Sequence, residues 1–289
     1  MAYQNTMEAR EREFHFTSAD FEQVRSLIYK HAGISLAPIK QDMVYSRLAR
    51  RLRALGYTTF AQYLRHLESN DEAEWEIFVN SLTTNLTSFF REAHHFDILI
   101  RHLHEIKHRP IRIWCSAAST GEEPYTLAMT ACEAFNTLTP PVTIVASDID
   151  TKVLATAQKG VYTMERIEKL DPGRLSRFFL KGAGAQVGYV RVRPELQKLL
   201  AFKRINLLDS IWPLQGPFDI MFCRNVMIYF DKPTQYAILK KFAALLREDG
   251  LLFAGHSESF LHAADVFRPL GRTVYQRADH SSSVSSKKK

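Results

Sequence analysis

Through the first ninety residues, apolar positions recur every three to four places, the spacing of helices that bury one face. In "TSADFEQVRSLIYKHAG", Phe21, Val24 and Ile28 share a stripe, with Thr17 and Ser18 as caps before it and Gly33 as a stop after it. "KQDMVYSRLARRLRALG" lines up Val44, Leu48, Leu52 and Leu55, and its other side carries Lys40, Arg47, Arg50, Arg51 and Arg53. "TTFAQYLRHLES" and "NDEAEWEIFVNSL" repeat a cap followed by a stripe, through Phe60, Tyr63, Leu64 and Leu67, then Trp75, Phe78, Val79 and Leu82. A small helical domain over residues 14–90 is expected, followed by a linking helix over 91–110.

After Pro110 the texture changes. "IRIWCSA", "VTIVASD", "FDIMFCR" and "LLFAGH" are short apolar runs separated by helical stretches such as "EEPYTLAMTACEAF" and "KPTQYAILKKFAALLRE". Alternating strand and helix implies a parallel sheet with helices on both faces, here over residues 111–277. The glycine-spaced "KGAGAQVGYVRVRPELQKLLAFKRI" breaks the rhythm, and an inserted antiparallel subdomain is expected at about 181–205.

Composition narrows this little. The chain has 289 residues, 46% hydrophobic and 24% charged, and a formal charge of +7, as an ordinary globular protein would. Three of the positive charges end the tail "SSSVSSKKK", which reads as disordered over 278–289, so basicity alone does not imply nucleic acid. Cys115, Cys132 and Cys223 lack metal or disulfide spacing, and Cys115 and Cys223 lie in apolar strand-like runs. The charged start is unlike a signal peptide, and no apolar run approaches membrane-spanning length; a cytoplasmic protein is expected.

The first strand-to-helix turn carries the chemistry. In "CSAASTGEEPY", a dinucleotide site would need three spaced glycines, but only Gly121 is present. Glu122 and Glu123 stand near where phosphates would lie and would repel them. A nucleoside with a positive end and no phosphate, such as S-adenosylmethionine, suits that turn; the bland alternative is a pair of helix-start acids. Asp148 ends the second strand 27 residues beyond Gly121, where such folds accept ribose hydroxyls, while Asp150 suits the cap of the next helix.

The blocks "LTTNLTSFFREAHHF", "SAASTGEEPY", "ASDID", "NLLD", "GPFDIMFCRNVMIYFD" and "GLLFAGHSESF" together resemble the chemotaxis receptor glutamate methyltransferases, the CheR-type family, across Phe14–Arg277. That resemblance implies an all-α N-terminal receptor-binding domain and a Rossmann-like S-adenosylmethionine methyltransferase domain that esterifies glutamates on chemoreceptor cytoplasmic helices. It points to Asn85, Thr87, Arg91, Glu122, Asp148, Asn206, Leu207, Arg224 and Asn225 as cofactor contacts, Glu122 near the methionine end. Arg91 and Tyr229 would position the methyl acceptor. The glycine-spaced insertion resembles one that docks a receptor C-terminal peptide in some members.

The chemistry is compatible. A glutamate carboxylate is already ionised at neutral pH, so methyl transfer needs alignment and partial desolvation rather than a strong base. Arginine and tyrosine supply the hydrogen bonds for that alignment, although a surface ion pair and a core aromatic are their plainer roles. The basic side of the second helix, with Arg47, Arg50, Arg51 and Arg53 as candidate substrate-binding residues, would meet acidic receptor helices; otherwise it is a solvated face. His94, His95, His102, His104 and His108 scatter around one helix, which disfavours a metal. His256 would line the cleft or serve structure. Two rivals remain: a nucleic-acid methyltransferase, disfavoured because "CRNV" stands where a "(D/N)PP(Y/F)" block would be, and a non-catalytic cofactor sensor. Nothing demands an oligomer, and a monomer is expected.

Overall fold

The computed structural model describes residues 12–69 and 72–279. These fall into two compact units that divide between Thr84 and Asn85. The expected disordered tail lies, from His280 onward, outside the described residues, as do the first eleven residues and the expected cap of the fourth helix at Asn70–Asp71.

The first unit consists of α1 (Ser18–Ala32), α2 (Gln41–Leu55), α3 (Phe60–Glu68) and α4 (Glu72–Leu82). Its boundaries follow from local chemistry. Thr17 and Asp20 form a capping box at the start of α1, and Gly33, left-handed at φ 63°, ends it. Val24, Ile28, Val44, Leu48, Tyr63 and Phe78 are all 0% exposed and form the unit's core. Glu74, 3% exposed, accepts from Nε and Nη2 of Arg51 and from the Tyr63 hydroxyl at 2.9 Å. Arg47 donates to the carbonyls of Thr83 (2.7 Å) and Ser81 (3.2 Å) and to the Thr84 hydroxyl. Two of the four arginines expected to meet substrate therefore serve the unit's own packing. Their aliphatic stems and forks reach α4 because they lie beside the Val44–Leu48–Leu52 stripe. Arg50 and Arg53 are the exposed pair, Arg53 beside Glu13 at 2.8 Å.

The second unit is built on a seven-stranded sheet. In chain order its strands are β1 (Ile111–Cys115), β2 (Val142–Asp148), β6 (Leu200–Arg204), β7 (Phe218–Cys223), β8 (Leu246–Ala254), β9 (Phe267–Gly271) and β10 (Val274–Arg277). The spatial order is β6-β2-β1-β7-β8-β10-β9, parallel from β6 through β8, with β10 and β9 antiparallel at one edge. The chain runs outward from β1 to β2, then crosses to the other side of β1 for β7, and this reversal makes the carboxyl ends of β1 and β7 a topological switch point. Helices α5 (His94–Glu105), α6 (Glu122–Ala134), α7 (Thr151–Lys159) and α11 (Lys232–Leu245) cover the sheet. One core contains Ile113, Cys115, Phe222 and Phe253; the other contains Trp114, Met221, Phe242 and Leu252. The alternation along β1 and β7 thus feeds both faces.

Two expectations about this unit change. The helix expected as a link, α5, packs on α6 and belongs to the second unit. The small antiparallel sheet, ordered β3-β5-β4, starts at Val161, not near residue 181: β3 is Val161–Thr163, β4 Phe179–Lys181 and β5 Tyr189–Val192. Between and after them lie the short helices α8 (Met164–Ile167), α9 (Pro172–Phe178) and α10 (Pro194–Gln197). The stretch 200–204, expected in the insertion, is instead β6 of the main sheet. It is an edge strand with mostly exposed side chains, so it lacks the continuous apolar run that marks a buried parallel strand. Among the described residues no helix is long and apolar enough to cross a membrane.

Candidate functional site

Register places the candidate residues on one rim. Cys115 pairs with Ala146 and Phe222, Asp148 with Arg204, and Cys223 with Ala254, so the strands end together. The turn leaving β1 is tied down by Ser116 N–H to the Phe222 carbonyl (2.9 Å) and Ala118 N–H to the Ser147 carbonyl (2.8 Å). Gly121, at φ 100°, caps α6; a Cβ there would lie 2.6 Å from the Tyr162 hydroxyl and 2.9 Å from the Ala157 Cβ. The glycine is thus required both by its dihedral and by close approach.

The acids of that turn separate. Glu122 is 0% exposed; its carboxylate accepts from the Thr120 hydroxyl (2.6 Å) and from Arg166 (3.0 Å). Glu122, expected near the methionine end of a cofactor, is therefore buried and paired with Arg166 in this structure. Glu123, at the second position of α6, does more than favour the helix start. It accepts from Arg224 Nη1 at 2.8 Å and from the Cys115 thiol at 3.3 Å. Burial pushes its carboxyl above the usual range, and Arg224 pulls it only part of the way back.

Asp150 is the cap expected of it, and Asp148 stands at the end of β2. Asp150 accepts from the N–H groups of Lys152 and Val153 at the start of α7, and its other oxygen accepts from the Asn85 amide at 3.1 Å. Asp148 accepts from the N–H of Ser119 (2.8 Å), a left-handed residue at φ 47°, and from that of Asp150 (3.0 Å). Burial raises the Asp148 carboxyl, against the pull of those N–H groups. The Ser119 hydroxyl donates to the Asn85 carbonyl at 3.1 Å, so Asn85 ties the β1 turn to the cap of α7.

Arg224 does not reach outward as a cofactor contact would. Its side chain is 1% exposed and lies between Glu123 and Glu92, with Nη2 at 3.1 Å from Glu92 Oε2 and donating to the Arg91 carbonyl at 2.6 Å. Glu92 also accepts from His256, at both the backbone N–H (3.3 Å) and Nδ1 (3.1 Å). Burial would raise the Glu92 carboxyl, but Arg224 and His256 outweigh it and hold it at about 2. Phe90 and Glu92, on either side of Arg91, are both left-handed (φ 53° and 57°), a strained turn that Arg224 clamps from beneath. Arg91 itself spends one Nη1 bond on the Leu86 carbonyl at 2.8 Å.

The remaining candidates have less to distinguish them. Asn206 Oδ1 accepts from Leu208 N–H, and its carbonyl from the Trp212 indole; Leu207 is buried and its carbonyl accepts from Lys241. Thr87 is half-buried in the segment after Asn85. Asn225 follows Arg224 at φ 59°, and Tyr229, half-buried, closes the short turn Met227–Tyr229. Sequence reasoning missed Glu92, Gln235 and Glu258, which hold this rim together. Their signal was slight: Glu92 and Glu258 lie inside blocks quoted for the resemblance, and Gln235 near the start of a stretch read as helical. Of the histidines, His95 is buried against the Arg272 carbonyl, His102 faces Glu105 at 3.3 Å, and His104 meets the Ala134 carbonyl, so they serve different places.

The donor set bears on the ligand. Along the rim Arg224 is committed to two carboxylates and Arg166 to Glu122, which leaves acids in excess and no cradle of cations or spaced glycines for phosphate. Such a rim suits a nucleoside carrying positive charge, which S-adenosylmethionine does.

Residues 85–276 match the family model described as the CheR methyltransferase SAM-binding domain, and residues 19–83 match the CheR methyltransferase all-alpha domain. The chain is similar to Chemotaxis protein methyltransferase 2 of Pseudomonas aeruginosa, 54% identical over 271 residues, covering 92% of this chain and 96% of that one. It is also similar to the chemotaxis protein methyltransferases of Salmonella typhimurium and Escherichia coli. Each is 52% identical over 260 residues, covering 90% of this chain and 90% and 91% of theirs.

Proposed function

The chain belongs to the CheR methyltransferase family, and on that premise we propose how its residues divide the work. It is an S-adenosylmethionine-dependent methyltransferase, and its reaction is the methylation of chemoreceptors. The acceptor is the γ-carboxylate of receptor glutamates, and the place of action is the cytoplasm, where those receptor helices lie.

S-adenosylmethionine, when bound, supplies a methyl group on a sulfonium that departs as a neutral thioether. Asp148 takes the ribose hydroxyls, with Asn85, Thr87, Asn206, Leu207 and Asn225 lining the nucleoside. The carboxylates beneath the β1 turn favour the positive end. Glu123 and Glu92 carry one more negative charge, when ionised, than Arg224 offsets, while Glu122 is balanced by Arg166. Arg91 and Tyr229 hold the acceptor carboxylate through the guanidinium fork and the phenol hydroxyl. No proton leaves the acceptor, so no general base is assigned. Alignment and exclusion of water from the carboxylate supply the rate.

Receptor recognition is assigned to the first unit through Arg50 and Arg53, the outward arginines of α2. The small sheet β3-β5-β4 takes a receptor C-terminal peptide as an added edge strand, a role favoured by its exposed Leu180 (40%) and Tyr189 (45%) and by Val187 (72%) in the turn before β5. The protein acts as a monomer.

The observation that carries this reading is the acid-rich rim, which has no phosphate cradle among the described residues. Its test is incubation with methyl-tritiated S-adenosylmethionine and a receptor cytoplasmic fragment. Label that is released as methanol by base is expected; base-stable label or none would sink the reading.

A further inference from the structure

One buried carboxylate on the rim has no part in the scheme above. Glu258, 5% exposed, follows β8 in the block "GHSES". Its Oε1 accepts from the N–H groups of Val226 (3.0 Å) and Met227 (2.8 Å); its Oε2 accepts from Asn225 N–H (3.0 Å) and Gly255 N–H. Four backbone donors on one carboxylate form a charge-assisted anchor for the loop that leaves β7. From the other side Gln235, 7% exposed, donates through Nε2 to the carbonyls of Met227 and Phe230, each at 2.9 Å. Asn225 and Tyr229 therefore sit in a loop gripped by its N–H groups in front and its carbonyls behind.

Gly255 adds an independent sign that this junction is built to close tolerance. A Cβ there would lie 2.5 Å from Asn225 Nδ2 and 2.9 Å from Glu258 Oε2, so only glycine lets the two strand ends approach. The left-handed Asn225, φ 59°, is strained and would relax without its anchor.

We propose that Glu258 is a positioning residue for methyl transfer, holding the 225–229 loop so that Asn225 and Tyr229 keep their places. This rests on the reading above of those two residues as part of the site. Glutamine at 258 has one accepting oxygen, so whichever way its amide turns, two of the four N–H groups lose their partner. A displacement of about 1 Å at an acceptor-positioning residue is enough to cost up to about a hundredfold in rate.

The test uses the full chain as wild type, Glu258→Gln and Gly255→Ala. Titration with S-adenosylhomocysteine counts the binding-competent sites, and kcat for a receptor fragment is expressed per competent site. Amide hydrogen exchange is followed at 225–227. The expected result is kcat per site lowered about tenfold or more in both variants, with faster exchange at those amides. A merely structural role would lower melting temperature or site count and leave kcat per site alone; that result overturns the proposal. If Glu258→Gln has no binding-competent sites, Gly255→Ala decides by the same criterion. A wild type that transfers no methyl to receptor would overturn the functional reading itself, whereas an active wild type beside unaffected variants overturns only the role of Glu258.

Discussion

Arg224 Nη1 lies 2.8 Å from Glu123 Oε2, with the arginine side chain 1% exposed and the glutamate side chain 10%. A guanidinium buried this deeply is tolerated because Glu123 and Glu92 flank it and the Arg91 carbonyl takes a further N–H. Arg224→Met would leave both acids buried without their cation. Removing one partner of a buried pair typically costs about 3–5 kcal/mol. We expect a loss of that size in urea denaturation, with S-adenosylhomocysteine affinity also weakened because the Arg91 turn loses its clamp. Arg224→Lys should recover little, since one ammonium cannot span Glu123, Glu92 and a carbonyl. Wild-type stability in Arg224→Met would refute the clamp.

Gly121→Ala is expected to destabilise by about 2–4 kcal/mol, from a left-handed penalty plus overpacking against Tyr162 and Ala157. The Tyr162 hydroxyl donates to the Thr120 carbonyl at 2.8 Å, so it cannot retreat without freeing that carbonyl. Denaturation midpoints check the magnitude. The double variant Gly121→Ala/Tyr162→Phe should regain part of the loss, because the clashing oxygen is gone.

These two examples mark what was legible in the sequence. Gly121 and the strand-end acids were visible because turn chemistry and helix capping are local, and Asp150 as a cap followed from position alone. Which of Glu122 and Glu123 faces what was not visible: successive helix residues point about 100° apart, and the phase of α6 against the sheet is set by packing. Hence Glu122 met Arg166, 44 residues on, and Glu123 met Arg224, 101 residues on. Glu258 and its loop are likewise joined across 31 to 33 residues, once β7 and β8 lie side by side. The basic side of α2 read as one surface; the structure turns Arg47 and Arg51 to internal partners, which no charge count reveals.

His95 makes stability depend on pH. It is 0% exposed, its Nε2–H donates to the Arg272 carbonyl at 2.9 Å, and burial, aided by Arg224 and His94 against Glu92, lowers it from 6.5 to about 4. The unfolded chain binds this proton more readily, so the stabilisation is complete above pH 6.5 and is lost as pH falls toward 4. The loss is about 3 kcal/mol over that window. Glu92, held at about 2, stays ionised in the folded state, and the stability it lends begins to be lost only near its ordinary 4.5, at the acid end of this window. Glu123, Glu258 and Asp148 are raised and act in the opposite sense, favouring the folded state as they protonate. His95→Gln separates the effects: denaturation of the variant from pH 7 to pH 4 should lack the downward slope that wild type shows, whereas equal slopes would remove His95 as its source.

Tyr229→Phe keeps the aromatic ring and the backbone bond from Tyr229 N–H to the Val226 carbonyl. The loss should fall on the acceptor: kcat for receptor down by about tenfold or more, with S-adenosylhomocysteine affinity within about twofold. Arg91→Lys should behave similarly, but with a higher KM for receptor, because lysine offers no bidentate fork. Unchanged turnover in Tyr229→Phe would remove the hydroxyl from acceptor positioning.

Charge reversal at Arg50 and Arg53 isolates receptor docking from chemistry. Both side chains are exposed, and the Arg53–Glu13 pair, with 54% and 51% exposure, contributes little to stability. Arg50→Glu/Arg53→Glu should therefore fold as wild type and bind S-adenosylhomocysteine normally. Against acidic receptor helices, however, association should slow, lowering kcat/KM for receptor about tenfold at low salt. Screening shortens the reach of these charges to about 8 Å at physiological ionic strength. The gap between variant and wild type should accordingly narrow as salt is raised, since the wild type loses attraction while the variant loses repulsion. Measuring kcat/KM across a salt series checks both. Equal values at low salt would place receptor docking on some other surface, and Arg47→Ala would not reproduce the pattern, because that arginine is spent on the Ser81 and Thr83 carbonyls.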